Sequence, residues 1–324
     1  MGELLVEQIE QFGLSKKDKP KNQFSKVGVV GCGTVGQSIA ILVSAAGMDI
    51  IFIEVSEERI NDALCEIEKE LDRQIAHWGM TPSDKRAILS RIKGSFKYDD
   101  LKDCDIVIEA ILSRTRDLSI DIRKGVFKSI ERHVSPECII ATNSTTLIVT
   151  ELSSELDYKE RCVSLHILTT AKESRIVEIV KGLYTSTEVY EATIKFVRML
   201  GKRVVQVEES PGLISVRLFS VLFNEACEML MEGVGKREDI DLVMREGLGL
   251  AYGPFEMADR VGLDKVERWM ENLYREFGDM RYKPSPILKK LVRANQLGKK
   301  NHKGFYEYDE NGRKKSISTY EAHE

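Results

Sequence analysis

Residues Lys26–Ala40, KVGVVGCGTVGQSIA, carry an apolar run, the spacing Gly31-x-Gly33-x-x-Gly36, and then Ile39 and Ala40, which open a helix face continued by Leu42 and Val43. Strand, tight turn and helix in that order form the dinucleotide-binding fingerprint. Each glycine has its own task. Gly31 makes the turn, Gly33 lets the backbone approach a pyrophosphate, and Gly36 lets the helix lie close on the sheet, while the helix N-terminus faces the anion. A second apolar run, Asp49–Val55 (DIIFIEV), places Glu54 near its end, eighteen residues past Gly36. A carboxylate there accepts both hydroxyls of a ribose and repels a 2′-phosphate. Val55 and Ser56 supply no cation to hold such a phosphate, so the reading is NAD rather than NADP. The candidate cofactor contacts are Gly31, Gly33, Thr34, Val35, Gly36 and Glu54. The bland alternative, a glycine turn between core elements, leaves the flanking strand, helix and acidic residue unexplained.

With 324 residues, of which 42% are apolar, the chain suits two cores rather than one. A formal net charge of −4 and cations scattered among acids give no basic field for nucleic acid. The longest apolar stretch, Ile39–Val55, is interrupted by Gly47, Asp49 and Glu54, so no membrane span is expected. Residues 1–23 carry Glu3, Glu7 and Glu10 but no arginine, and Val6 breaks the myristoylation pattern after Gly2. These features argue against a secretory or transit signal and make the cytoplasm the default. Leu4, Leu5, Ile9 and Phe12 have the spacing of a short amphipathic helix ahead of the polar KKDKPKNQ segment. Six single cysteines (Cys32, Cys65, Cys104, Cys138, Cys162 and Cys227), with no CxxC pair or histidine cluster, read as reduced core thiols rather than a metal site or disulfide framework.

Outward from the fingerprint, helical periodicity runs from Glu57 to Ala76, and a second helix is expected over Ser83–Ile92 after the turn Gly79-Met80-Thr81-Pro82. Strands are expected at Asp105–Ala110, Cys138–Thr142, Arg161–Ile167, Arg175–Val180 and Arg203–Val207. Strands alternating with helices build a mostly parallel, doubly wound α/β sheet of Rossmann type. Glu208-Glu209-Ser210-Pro211-Gly212 punctuates the chain, and the pattern beyond it is helical as far as Phe305-Tyr306. The expected organisation is an extension over 1–23, an NAD-binding domain over 24–209 and an all-α domain over 210–324.

Several segments, in order, resemble the L-3-hydroxyacyl-CoA dehydrogenases, particularly the bacterial 3-hydroxybutyryl-CoA type, from residue 25 to 308. They are GCGTVGQSIA, MTPSDKRAILSRIKG with DLKDCDIVIEAI, ATNSTTL, His166 with Glu178 twelve residues later, SPGLI, YGPFEMADRVGLD and LGKKNHKGFYEY. The resemblance implies an NAD-dependent oxidoreductase of fatty acid metabolism. It also implies an acyl-CoA substrate, a cleft between the two domains and a homodimer built largely by the helical one. It makes Asn143 a contact to the nicotinamide, Thr145 a contact to the substrate hydroxyl in place of the family's serine, Lys300 a cofactor contact from the helical domain, and Ala110 a backbone contact. Glu109 reads as structural.

The chemistry supports the same residues. Oxidising a secondary alcohol with NAD needs a base for the hydroxyl proton, and histidine titrates near the working pH. In VSLHI, Val163, Leu165 and Ile167 face one side and His166 the other, close to the strand end where open parallel sheets bind ligands. Glu178 on the next strand is suited to hold the second ring nitrogen. His166, Glu178 and Thr145 are therefore the candidate catalytic residues.

The sequence also departs from the family. His166-Ile167-Leu168-Thr169-Thr170 replaces His-Phe-Phe-Asn-Pro, and Val216 stands where a further asparagine is expected. Arg123 is a possible substitute for a cofactor-side lysine. The family's two contacts to the nucleotide end of coenzyme A fall on Glu70 and His77, near Lys69 and Arg73. Two alternatives stay open beside the leading reading: a dehydrogenase of a hydroxy acid that is not a thioester, and a noncatalytic NAD-binding paralogue.

Overall fold

The computed structural model describes residues 24–76, 79–111, 116–168, 174–310 and 312–315. The amphipathic segment proposed for Leu4–Phe12, and the positions His77 and Thr169, lie outside them.

The first half alternates as β1 (Lys26–Val30), α1 (Thr34–Ala45), β2 (Asp49–Ile53), α2 (Glu57–Ala76), α3 (Pro82–Arg91), β3 (Ile92–Ser95), β4 (Ile106–Glu109), α4 (Arg116–His133), β5 (Ile139–Thr142), α5 (Val149–Leu152), β6 (Cys162–Ile167), β7 (Ile176–Lys181), α6 (Thr187–Met199) and β8 (Arg203–Glu208). The strands lie in the order β3-β2-β1-β4-β5-β6-β7-β8, and all neighbours are parallel except β6 and β7. The sheet reverses direction of growth between β1 and β4, so loops leaving their carboxyl ends diverge and open a crevice there. Runs such as Val27–Val30 (VGVV) of β1 are apolar on both sides because helices cover both faces. Two buried clusters result, one around Val29, Ile39, Phe52 and Leu165, the other around Val107, Phe127, Ile140 and Leu152.

Two details differ from the sequence reading. The helix expected to include Ile92 stops at Arg91, and Ile92 opens an extra edge strand, β3, paired with β2. Its four residues, IKGS, contain a lysine and a glycine and show no alternation that would mark a strand. At the other end, Pro82 occupies the first helical turn and Thr81 and Asp84 cap each other reciprocally, as their spacing demands. Cys65 is exposed on α2, whereas the other five cysteines are buried and all six are free. Burial pushes the Cys32, Cys104 and Cys162 thiols up to about 12, so these three are inert packing groups.

The second half packs α7 (Ser215–Glu232), α8 (Arg237–Leu242), α9 (Pro254–Val261), α10 (Leu263–Phe277) and α11 (Pro286–Arg293) around Phe223, Phe255, Trp269, Leu273 and Phe305. Two buried carboxylates fasten the terminal GFYEY segment to this bundle. Asp259 accepts from the amides of Phe305 and Tyr306 and from the Tyr308 hydroxyl, each at 2.9 Å. Asp241 accepts from the amides of Phe255 and Glu256 and from the Tyr306 hydroxyl, at 2.9–3.0 Å.

Candidate active site

The three glycines of the fingerprint loop meet different surroundings. Gly31 has φ +91°, and a Cβ on it would stand 2.8 Å from the Ile111 Cα, so the loop after β4 passes where a side chain would be. A Cβ on Gly36 would stand 2.1 Å from the Gly31 carbonyl oxygen, which fixes how closely α1 approaches the turn. Gly33 caps α1 and has nothing within 4 Å of its missing Cβ. The start of α1 leaves the Thr34, Val35 and Gly36 amides without intrahelical partners. An open approach, unpaired amides and a positive helix end together fit a pyrophosphate. Glu54, at the end of β2, accepts the Cys32 amide at 2.6 Å through Oε1 and so is held against the same loop. Its Oε2 accepts the Val55 amide at a longer 3.3 Å, which leaves acceptor capacity for ribose hydroxyls.

His166 sits at the carboxyl end of β6, and its register partner on antiparallel β7 is Glu178. The twelve-residue spacing is thus a cross-strand pair, with side chains on one face of the sheet. His166 Nδ1 lies 2.8 Å from Glu178 Oε2, and both side chains are buried. Burial pushes the His166 imidazole below its ordinary value, against the opposing pull of Glu178; the ammonium of Lys265 on α10 adds to the lowering. Burial also acts to raise the Glu178 carboxyl, but hydrogen bonds from His166 and Ser215 outweigh it and hold the group below the usual glutamate value. An ionised Glu178 only accepts, so Nδ1 carries the proton and Nε2 keeps its lone pair. Lys265 is itself half-buried, its Nζ 5.0 Å from the centre of the Trp269 ring, and burial lowers it to about 8.

Ala110 follows the carboxyl end of β4, and Asn143 and Thr145 follow that of β5. Asn143 follows β5, and its Oδ1 accepts the Ile167 amide at 2.9 Å, tying the ends of β5 and β6 beside the histidine while its NH₂ remains a donor. Thr145 is half-buried, and its carbonyl accepts the Gly212 amide at 2.7 Å, where the chain enters the helical half. Ala110 bonds through its amide to the Val30 carbonyl and lies in the crevice loop. Lys300 is exposed and paired with Asp264 of α10 at 2.6 Å, within the helical half. Among the described residues, no group of three metal-ligating side chains occurs. A cavity of about 520 Å³ lies in the helical half among Leu230, Ile287, Leu291 and Phe305 and contains none of these residues.

The structure bears on three readings of the sequence. Arg123 is not a spare cation for the cofactor: it pairs with the fully buried Glu109 and donates to the Ile111 carbonyl at 2.7 Å, while Glu109 also accepts from Thr142 Oγ1 at 2.8 Å. This buried network shapes the crevice loop. Val216 is buried among the apolar side chains of the helical core, so no donor stands at the position where the family has an asparagine. Lys69 and Arg73 are exposed and held in pairs with Glu66 and Glu70 on their own helix. The residue missed altogether is Ser215, whose hydroxyl donates to Glu178 Oε2 at 2.7 Å. A serine beginning a helix reads in sequence as a cap, with nothing to point it at a residue 37 positions earlier.

A Rossmann crevice beside a buried histidine–glutamate dyad defines a nicotinamide-nucleotide-dependent oxidoreductase. Comparison with known proteins gives the family. Residues 26–210 match the family model of the 3-hydroxyacyl-CoA dehydrogenase NAD binding domain, and residues 212–308 match that of the C-terminal domain. The chain belongs to the 3-hydroxyacyl-CoA dehydrogenase family, and NAD is its cofactor. It is 35% identical over 283 residues to a 3-hydroxybutyryl-CoA dehydrogenase of Bradyrhizobium diazoefficiens, covering 87% of this chain and 95% of the relative. A 3-hydroxybutyryl-CoA dehydrogenase of Clostridioides difficile is 33% identical, covering 88% of this chain and 99% of that protein. The crystal structure of (S)-3-hydroxybutyryl-CoA dehydrogenase PaaH1 from Ralstonia eutropha superposes with a TM-score of 0.78 at 34% identity, covering 89% of this chain and all (100%) of that one.

Proposed function

We propose that the protein interconverts a short-chain 3-hydroxyacyl-CoA, such as 3-hydroxybutyryl-CoA, and the 3-ketoacyl-CoA, with His166 as general acid and base. The observation that carries this reading is the buried His166–Glu178 pair at the sheet edge that also bears the nucleotide loop. NAD, when bound, supplies the hydride acceptor. His166 Nε2 takes the proton of the substrate hydroxyl, and Glu178 stabilises the imidazolium that forms. Because burial favours the neutral imidazole, the base is ready in the alcohol-oxidising direction. The Thr145 hydroxyl orients the substrate oxygen, and the Asn143 amide meets the nicotinamide. The Gly31–Gly36 turn and Glu54 hold the nucleotide, with Ala110 and Lys300 on its flanks.

A second reading, a hydroxy acid free of coenzyme A, is favoured by the self-paired charges of α2, where the family's contacts to the nucleotide end of coenzyme A fall. NADH oxidation followed with acetoacetyl-CoA and with acetoacetate separates the two. The account expects turnover only with the thioester, and equal rates with the free acid would give the second reading its place.

The active form is a homodimer in the cytoplasm. The helical half exposes Leu218 (69%), Val243 (60%), Leu248 (67%) and Met280 (59%), an apolar surface suited to a second copy. No helix of the described residues is long and apolar enough to cross a membrane.

A further inference from the structure

Glu178 receives four donors. Its Oε1 accepts the amides of Ile214 at 3.1 Å and Ser215 at 3.0 Å, and its Oε2 accepts the Ser215 hydroxyl at 2.7 Å beside His166 Nδ1 at 2.8 Å. A carboxylate has about four lone-pair directions, so this one is saturated. Three of the four donors come from the entry into α7, on the far side of the Pro211–Gly212 junction from the sheet. The helix is 18 residues long, and its positive end meets the anion.

We propose that Ser215 is a positioning residue of the proton-transfer dyad. Its hydroxyl, with the two amides beside it, sets the orientation of Glu178 and shares its charge, so that the base is fully formed only when the helical half is docked on the sheet. This deepens the reading of His166 as the general base and rests on it. The side chains His166 meets are Glu178 on β7 and, through its field, Lys265 on α10; Glu178 meets His166 and Ser215. Removing the Ser215 hydroxyl leaves more negative charge on the oxygen that faces Nδ1. The imidazolium is then held more firmly, and the His166 ionisation moves upward.

The test compares Ser215→Ala and Ser215→Thr with the wild type by two readouts. One is the pH profile of kcat/KM for acetoacetyl-CoA with NADH, and the other is a nitrogen-15 NMR titration of His166 that needs no turnover. The expected result is a His166 ionisation raised by about 0.5 or more in Ser215→Ala. NADH affinity stays unchanged, and Ser215→Thr, which keeps a hydroxyl, stays with the wild type. Superimposed titrations of Ser215→Ala and the wild type would overturn the proposal. A chain with no thioester turnover that still shows the NMR shift would sink the reading of the substrate and leave the positioning role standing.

Discussion

His166 carries two opposing influences whose balance an experiment can read. Burial and the Lys265 ammonium favour the neutral ring, and Glu178 favours the charged one. Lys265→Met removes a positive field and so raises the ionisation of His166. The protonated ring cannot act as a base, so the acid limb of alcohol oxidation moves to higher pH. A limb that stays in place or moves down in this variant would show that Lys265 does not act on the ring. At this scale the sequence was informative where a residue type has narrow chemistry. His166 and Glu178 stand out because an imidazole and a carboxylate at paired positions have few other joint uses. Ser215, Arg123 and Val216 were opaque for the opposite reason: a serine caps, an arginine pairs and a valine packs in many settings. Only the fold shows that Ser215 meets Glu178, that Arg123 meets Glu109 and that Val216 faces the helical core.

The strand-turn-helix unit makes a paired prediction from its glycines. Gly36→Ala drives a methyl into the Gly31 carbonyl, so the turn must shift, at a cost of about 2 kcal/mol or more, read as a lowered denaturation midpoint. Gly33→Ala meets no neighbour and has an ordinary φ of −70°. It should fold with a loss of about 1 kcal/mol or less as a poorer helix cap, yet bind NADH at least about tenfold more weakly, because the methyl occupies the approach of the pyrophosphate. Equal stability of the two variants, or intact NADH affinity in Gly33→Ala, would contradict the assigned roles. Elements of this kind are legible because spacing alone encodes them. The edge strand β3 was not, since IKGS is short and pairs on one side only. The antiparallel turn of β7 also escaped, because period-2 alternation carries no direction.

Across the whole molecule, both halves contribute to the surroundings of the His166–Glu178 pair: the sheet brings both residues, and the bundle brings the donors that hold Glu178 and the Lys265 charge. The motifs YGPFEMADRVGLD and HKGFYEY, prominent in the sequence, serve this by fastening the bundle through Asp241 and Asp259 rather than by touching the dyad. Their resemblance to the family made the second half readable as a helical domain, but the use of those carboxylates depends on three-dimensional contacts between segments over 40 residues apart. As a homodimer the protein should sediment at about twice its 36.8 kDa chain mass; a single-chain mass at working concentration would remove that proposal. The central claim is tested most directly by acetoacetyl-CoA reduction with NADH in the wild type and His166→Ala, with NADH binding measured on the same samples. The account predicts wild-type turnover on the order of 10 per second, a loss of about 10²–10⁴-fold in the variant, and equal NADH affinity. Undiminished turnover in His166→Ala would contradict it.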